Sequence, residues 1–502
     1  MMFLTYANYA VSIVTKEVRE KLKITMRSIL GLLLCVLPLA QPPHPAQNSQ
    51  PKQLVLTHVT VIDATGAPAN SDMTVVITGD RITELGKTQT VRVPKEAQVI
   101  DATGKFLIPG LWDMHVHWYL KDYLPLFIAN GVTGVRLMWG MPMHQQWRKE
   151  IENGTVLGPR LFIASPIVDG PNPVWPASVS VSNDREARQA VTKAREDGAD
   201  FIKVYSRLTR EAFFAIADET KKQGISFAGH VPQSVTVAEA SDAGQKSIEH
   251  LTGILTACSS REEEFRKQTE AAGSKLPQGQ IPNPAALRQL NRLVLETFSP
   301  DKAAALFARF NRNQTWQCPT LTVLRSTSSL DDPSFRNDPR LKYMPSATRT
   351  QWDPTKDFRF KNRTAEDFEL ARLMFKKQVE VVGGMRRAGV EFLAGTDVLN
   401  PYCFPGFSLH DELVLLVSAG LTPMEALQAA TLNPARFLGK ETELGTVEKG
   451  KIADLVLLDA NPLEDIHNTQ KINAVMVRGK LIPKAGLQRM LATIETAAAN
   501  RK

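Results

Sequence analysis

Cysteine is scarce: Cys35, Cys258, Cys318 and Cys403 are the only four in 502 residues. No C-x-x-C pair exists, and three thiols remain outside the first forty residues, so a zinc knuckle and a disulfide-built scaffold are excluded. A single disulfide is still compatible with an exported chain. No block of lysine and arginine stands behind the formal charge of +8, part of which lies in Lys16, Arg19, Lys21, Lys23 and Arg27 against Glu17 and Glu20. A nucleic-acid partner is therefore not expected, and the modest excess slightly favours anionic substrates. No apolar run reaches the roughly 20 residues of a membrane span, so stable insertion is not expected either. No fixed-period repeat recurs. What is present is ordinary globular composition, 43% hydrophobic and 22% charged, at a length that suits one large domain and a smaller one.

Met26–Arg27, an apolar run over 29–36 and Leu37–Pro38–Leu39–Ala40 read as a secretory leader within residues 1–40, which predicts export to the periplasm or beyond. On this reading Met26 is the start and residues 1–25 are an upstream extension. No small residue precedes Cys35, which argues against a lipid anchor. Residues 41–53, rich in Pro, Gln and Asn, read as a linker.

Alternation of apolar and polar residues over 54–64, runs at 73–77 and 81–85 around Thr78–Gly79–Asp80, and runs at 99–100 and 106–108 predict a small antiparallel sheet. Its counterpart lies far down the chain, at 446–447, 453–458 and 472–477. A small β-sandwich domain built from both chain ends, 54–106 and 441–485, is expected, followed by a tail over 486–502. Between them, short apolar runs alternate with helical patterns. Candidate strands are 111–117, 132–138, 160–168, 201–206, 226–231, 247–251, 317–323 and 392–398. Helical stretches fall at 120–129, 184–197, 209–223, 236–243 and 368–388. Eight strands with helices between them predict an α/β fold, a (β/α)8 TIM barrel over 107–440. Two long segments, 255–313 and 324–369, interrupt it and are expected at the catalytic face, where such loops shape a pocket.

The chemistry-bearing residues fall at the ends of these strands. His115 and His117, two apart in Gly110–Leu111–Trp112–Asp113–Met114–His115–Val116–His117, share one face of a strand and can grip one divalent ion. Lys203, in Phe201–Ile202–Lys203–Val204–Tyr205, is an inward lysine that is costly to bury charged. His230, His250 and Asp397 each close an apolar run. Singly, a strand-end histidine reads as a hydrogen-bonded core or loop residue and a strand-end aspartate as a helix cap. Six such residues at the C-terminal ends of barrel strands, where active sites of this architecture form, point to a metal centre.

The chain resembles the amidohydrolase superfamily, in particular its imidazolonepropionase-like and metal-dependent Xaa-Pro dipeptidase branch. The resemblance runs from about Leu54 to Leu481. It rests on Pro109–Gly110–Leu111–Trp112–Asp113–Met114–His115–Val116–His117, Gly131–Val132–Thr133–Gly134–Val135–Arg136, Ile202–Lys203–Val204–Tyr205, the two strand-end histidines and Ala394–Gly395–Thr396–Asp397. Leu421–Thr422–Pro423–Met424–Glu425–Ala426–Leu427, Ala430–Thr431–Leu432–Asn433–Pro434–Ala435 and the stretch from Gly445 to Val456 also match.

The resemblance implies two divalent ions, usually zinc. His115, His117 and Asp397 would hold one and His230 and His250 the other. Lys203, carboxylated by CO2, would bridge them. A lysine salt-bridged to Asp397 in a metal-free barrel is the alternative for Lys203. Asp397 is then the proton carrier, and Tyr205, on the same face as Lys203, a donor to the substrate carbonyl or carboxylate. Arg136 and His144 are expected as further substrate contacts, Arg136 through a bidentate carboxylate pair. A structural ion pair and a loop position are their alternatives. His410 is expected on a helix surface, with a supporting role close to Asp397 as its alternative, and His58 and His467 at the surface of the small domain or its edge. The expected activity is hydrolysis of an amide bond in an Xaa-Pro-like dipeptide or an N-acyl amino acid. A cyclic amide, as in imidazolonepropionase-like activity, or an ester or lactone is the enzymatic alternative. A metal-free scaffold, with precedent in dihydropyrimidinase-related proteins, is the non-enzymatic one. The family often forms homo-oligomers.

Overall fold

The computed structural model describes residues 53–501 apart from residue 275. The expected leader, and all of the expected linker but Gln53, lie outside the described residues. Five strands come first: β1 (Gln53–Val61), β2 (Asn70–Thr78), β3 (Arg81–Lys87), β4 (Gln98–Asp101) and β5 (Phe106–Pro109). The middle of the chain supplies β6 (Leu111–Val116), β7 (Val132–Leu137), β8 (Arg160–Ile163), β9 (Val168–Asp169), β10 (Val179–Ser180), β11 (Phe201–Val204), β12 (Ser226–Gly229), β13 (Ser247–Glu249) and β14 (Trp316–Cys318). The chain closes with β15 (Leu455–Leu458), β16 (Ile472–Val477) and β17 (Lys480–Pro483).

Both ends of the chain meet in one eight-stranded sheet, ordered β17-β16-β15-β5-β1-β2-β3 with β4 beside β1. Val59, Val61, Val75, Ile77, Leu107, Leu455 and Leu457 bury one face of it in a core of its own. The expected tail is the helix Lys484–Asn500, which buries Leu487, Ile494 and Ala498.

The middle strands run parallel. β6, β7 and β8 form one sheet, and β10-β9-β11-β12-β13-β14 another. A parallel bridge from Ala164 to Phe201 joins β8 to β11, and bridges Gln317–Phe392 and Val116–Val398 join residues 392–398 to β14 on one side and β6 on the other. Helices such as Asp184–Glu196 and Arg210–Gln223 lie between successive strands. Each begins at a side-chain cap, Asn183 and Thr209 respectively, that satisfies a free N–H of the first turn.

Three expected strands differ in their limits. The run over 160–168 is split between β8 and β9 around Pro166, which has no N–H for a ladder. Residues 321–323 open the helix Leu321–Ser328 instead of extending β14. There the Glu412 carboxylate accepts from the N–H groups of Leu321 and Thr322 at 2.9 and 2.7 Å and from the Thr322 hydroxyl at 2.8 Å. Residues 392–398 are extended chain with isolated bridges, because Asp397 sits at φ +57° and Gly395 lies against its neighbours. A Cβ on Gly395 would stand 2.5 Å from Cys318 Sγ and 2.9 Å from the His115 nitrogen. That close approach lets Asp397 reach the histidine pair: the Asp397 N–H donates to the His115 carbonyl at 2.7 Å. Among the described residues no helix is long and apolar enough to cross a membrane.

Candidate metal centre

β6 carries His115, and His117 follows it. The His115 Nδ1–H donates to the Glu249 carboxylate at 2.6 Å, and both side chains are fully buried. That bond leaves the lone pair of the neutral ring on Nε2. His115 Nε2 is buried, has no hydrogen-bond partner and lies 3.4 Å from Asp397 Oδ1. Two electron-rich atoms face each other there without a proton between them, an arrangement that a cation resolves. His117 Nε2 lies 3.1 Å from the same carboxylate oxygen, and its Nδ1 is a second buried nitrogen without a partner.

The ligand atoms of His115, His250 and Asp397 lie within 4.8 Å of one another. His250, at φ +58°, places its ring 4.4 Å from that of His115 and 5.0 Å from that of His230. Hydroxyl groups hold the outer histidines: Thr320 Oγ1 at 2.7 Å from His250 Nδ1 and Ser206 Oγ at 2.9 Å from His230 Nδ1. With Nδ1 so engaged, each ring keeps Nε2 for a ligand. The donor set, imidazoles and a carboxylate with a carboxylate behind His115, fits a divalent transition metal.

Lys203 on β11 is buried, and burial brings its ammonium down to about 8 against the pull of Glu249 and Asp397. Burial and the neighbouring Lys203 charge hold His115 and His230 well below the ordinary imidazole value, and burial takes His250 to about 4. These rings are neutral and able to ligate at physiological pH. Burial alone would raise the Asp397 carboxyl, but His250, His117 and Lys203 outweigh it and keep the group ionised. Tyr205 stacks on His230 with ring centres 4.0 Å apart, and its oxygen accepts from Trp175 Nε1–H at 2.8 Å. Burial raises its pKa, so the hydroxyl keeps a proton to donate.

Two expected substrate contacts are corrected by the geometry. Arg136 is fully buried. Its Nε–H donates to the Met114 carbonyl at 2.6 Å, Nη1 to Ser247 Oγ at 2.9 Å, and Nη2 to both Glu249 oxygens at 2.9 Å. It holds the carboxylate that orients His115 and has no exposed face for a substrate. His144 is also buried. Its Nδ1 accepts from the Met141 N–H at 3.1 Å and its Nε2–H donates to the Trp118 carbonyl at 2.9 Å, so the ring caps the helix Pro142–Glu152 and does not line the site. His410 is likewise not a surface residue: it is buried, between Thr469 Oγ1 at 2.9 Å and the Asn130 carbonyl at 3.1 Å. His58 and His467 are exposed and paired with Asp72 and Asp465.

Sequence reasoning missed Glu249, Ser206 and Thr320. Glu249 had a signal, since a carboxylate in a three-residue buried strand needs a buried partner, and Arg136 in the apolar run of β7 is one. The two hydroxyl groups had none.

A model described as the amidohydrolase family matches residues 106–482. An ochratoxinase from Aspergillus niger is 23% identical over 434 residues, covering 74% of this chain and 73% of that protein. An imidazolonepropionase from Shouchella clausii is 36% identical over 107 residues, 20% of this chain and 24% of that protein. Two solved structures are similar in fold. A bottromycin amidohydrolase has a TM-score of 0.69 at 24% identity, covering 90% of this chain and 91% of its own. A Xaa-Pro dipeptidase with bound methionine in its active site has a TM-score of 0.62 at 20% identity, covering 86% and 100%.

Proposed function

This chain belongs to the amidohydrolase family and is a hydrolase of carbon–nitrogen bonds, and from that premise we propose that it is a metal-dependent amidase of Xaa-Pro-like dipeptides or N-acyl amino acids. The observation that carries the metal dependence is His115 Nε2, buried and unpartnered 3.4 Å from an ionised carboxylate. His115, His117 and Asp397 would hold one divalent ion, His230 and His250 a second, and zinc suits the donors. Lys203 would bridge them after its free amine forms an N–C bond to CO2 and loses a proton, which gives an anionic carbamate. Bound ions would acidify a water and polarise the scissile carbonyl.

The chain's own residues do the rest. Asp397 accepts the proton of the attacking water and returns it to the leaving nitrogen. Tyr205, aligned by Trp175, donates to the carbonyl oxygen. Glu249, Ser206 and Thr320 fix three of the rings. The same reading takes 107–440 as a closed eight-stranded barrel, 54–106 with 441–485 as the small domain, and residues 1–40 as an export leader.

The test is metal analysis of the purified protein followed by a screen against an Xaa-Pro and N-acyl amino acid library. About two divalent ions per chain are expected, with hydrolysis lost on chelation and in Lys203→Ala, and partly restored to that variant by short carboxylates. Full activity in metal-free protein, or unchanged turnover in Lys203→Ala, would overturn the proposal.

A further inference from the structure

On one side of the centre stand aromatic rings whose faces the proposed reaction does not use. Trp139, just after β7, meets the ring of His117 edge-on with centres 6.5 Å apart. Trp175 lies 6.1 Å from Trp139, Tyr119 lies 6.3 Å from it, and Phe358 packs edge-on to Trp175 at 5.8 Å. Four segments supply these rings: the chain after β6, the chain after β7, the loop between β9 and β10, and the long segment 324–369.

A core cluster would bury such rings. Trp118, Trp147 and Phe127, a short way off, do form one, at 0, 8 and 0% exposure. The rings by the centre differ. Tyr119 is 38% exposed, and Trp139, Trp175 and Phe358 are half-buried. Their polar neighbours are already engaged. The Trp175 N–H donates to Tyr205 Oη, and Arg359, 5.7 Å from the Trp175 ring centre, is bonded to the Asp357 carboxylate and to Asn400 Oδ1 at 2.6 Å. What this wall offers a ligand is ring faces and edges.

We propose that Tyr119, Trp139, Trp175 and Phe358 form a subsite for an aromatic ring carried beside the scissile amide, so that ring-bearing amides are the preferred substrates. The proposal rests on the amidase reading above and adds the substrate class. Offset or edge-to-face contact with such a wall, beyond the area it buries, selects a flat ring over an aliphatic group of similar size.

The test uses the zinc-loaded full-length protein and matched pairs: Phe-Pro against Leu-Pro, N-acetyl-phenylalanine against N-acetyl-leucine, and N-benzoyl-alanine against N-cyclohexanecarbonyl-alanine. The ring-bearing member is expected to have a kcat/KM about five- to ten-fold higher. In Trp139→Leu and in Phe358→Leu, each checked for a wild-type far-UV circular dichroism spectrum, that ratio falls towards one. Quenching of intrinsic tryptophan fluorescence by benzoate and by cyclohexanecarboxylate provides a reading independent of turnover, with benzoate binding several-fold tighter to the wild type and equally to Trp139→Leu. Equal kcat/KM within every pair, or ratios unchanged in both variants, would overturn the subsite. Selective benzoate binding with no hydrolysis of any amide would instead retain the subsite and defeat the amidase reading. Equal binding of the two carboxylates would defeat the subsite whatever the turnover.

Discussion

Glu249 would ligate no metal in the proposed centre, yet the orientation of His115 depends on it. Its carboxylate decides which nitrogen of His115 carries the proton, and Arg136 holds that carboxylate in place. Glu249→Gln keeps the shape but removes the anion, and leaves Arg136 buried without its counter-charge. Metal affinity is expected to fall about 10- to 100-fold, read as zinc content under limiting zinc, with the far-UV circular dichroism little changed. Unaltered zinc content would show that the carboxylate only supports packing. In the proposed reaction Asp397 acts on the reacting atoms, and Asp397→Asn is expected to lower kcat by about 10² or more while KM moves far less. A change confined to KM would reassign it to binding.

Among the secondary-structure elements, the join between β14 and the helix Leu321–Ser328 is the one on which His250 depends. Thr320, at φ +50°, reaches His250, and the next two residues are held by Glu412. Glu412→Ala strands two buried N–H groups at a helix start and is expected to cost about 2–4 kcal/mol in urea unfolding. It should also loosen His250, visible as weakened binding of the metal ions. Stability within a few tenths of wild type would refute the capping role.

This join also shows where the sequence was readable and where it was not. Short apolar runs between helical patterns located most of the parallel strands and put His115, His230, His250 and Asp397 at the ends of such runs, because a strand buried on both faces reads as a continuous apolar stretch. The start of the helix at Leu321 was hidden, since its cap is a glutamate 91 residues away. Arg136 was misread for the same reason: an arginine that binds a carboxylate looks identical in sequence whether the carboxylate belongs to a substrate or to Glu249. The aromatic wall left no local trace, because its rings come from segments that meet only in the folded chain.

For the molecule as a whole, two buried histidines outside the proposed ligand set couple stability to pH. Burial takes His144 and His410 to about 4, and His144 also spends one ring nitrogen as donor to the Trp118 carbonyl and the other as acceptor from the Met141 N–H. Unfolded, both titrate near 6.5. Between about pH 6.5 and 4 the unfolded chain binds protons that the folded one refuses, so stability falls as pH is lowered, by on the order of 3 kcal/mol per histidine at most. Melting curves across that range should converge for wild type and His410→Gln towards the acid end. Parallel curves would show that His410 contributes nothing to acid lability.

The sheet that joins the two chain ends has a consequence for how the enzyme is made. β15 pairs along the whole of β5, and one residue later Gly110 donates to the Asp454 carbonyl at 2.7 Å, immediately ahead of the strand that bears His115. β15 therefore leaves the ribosome long after β5, the strand it pairs with. Until it does, β5 waits with an open edge, and a nascent chain stalled short of residue 455 carries every candidate metal ligand without the strand that braces the start of β6.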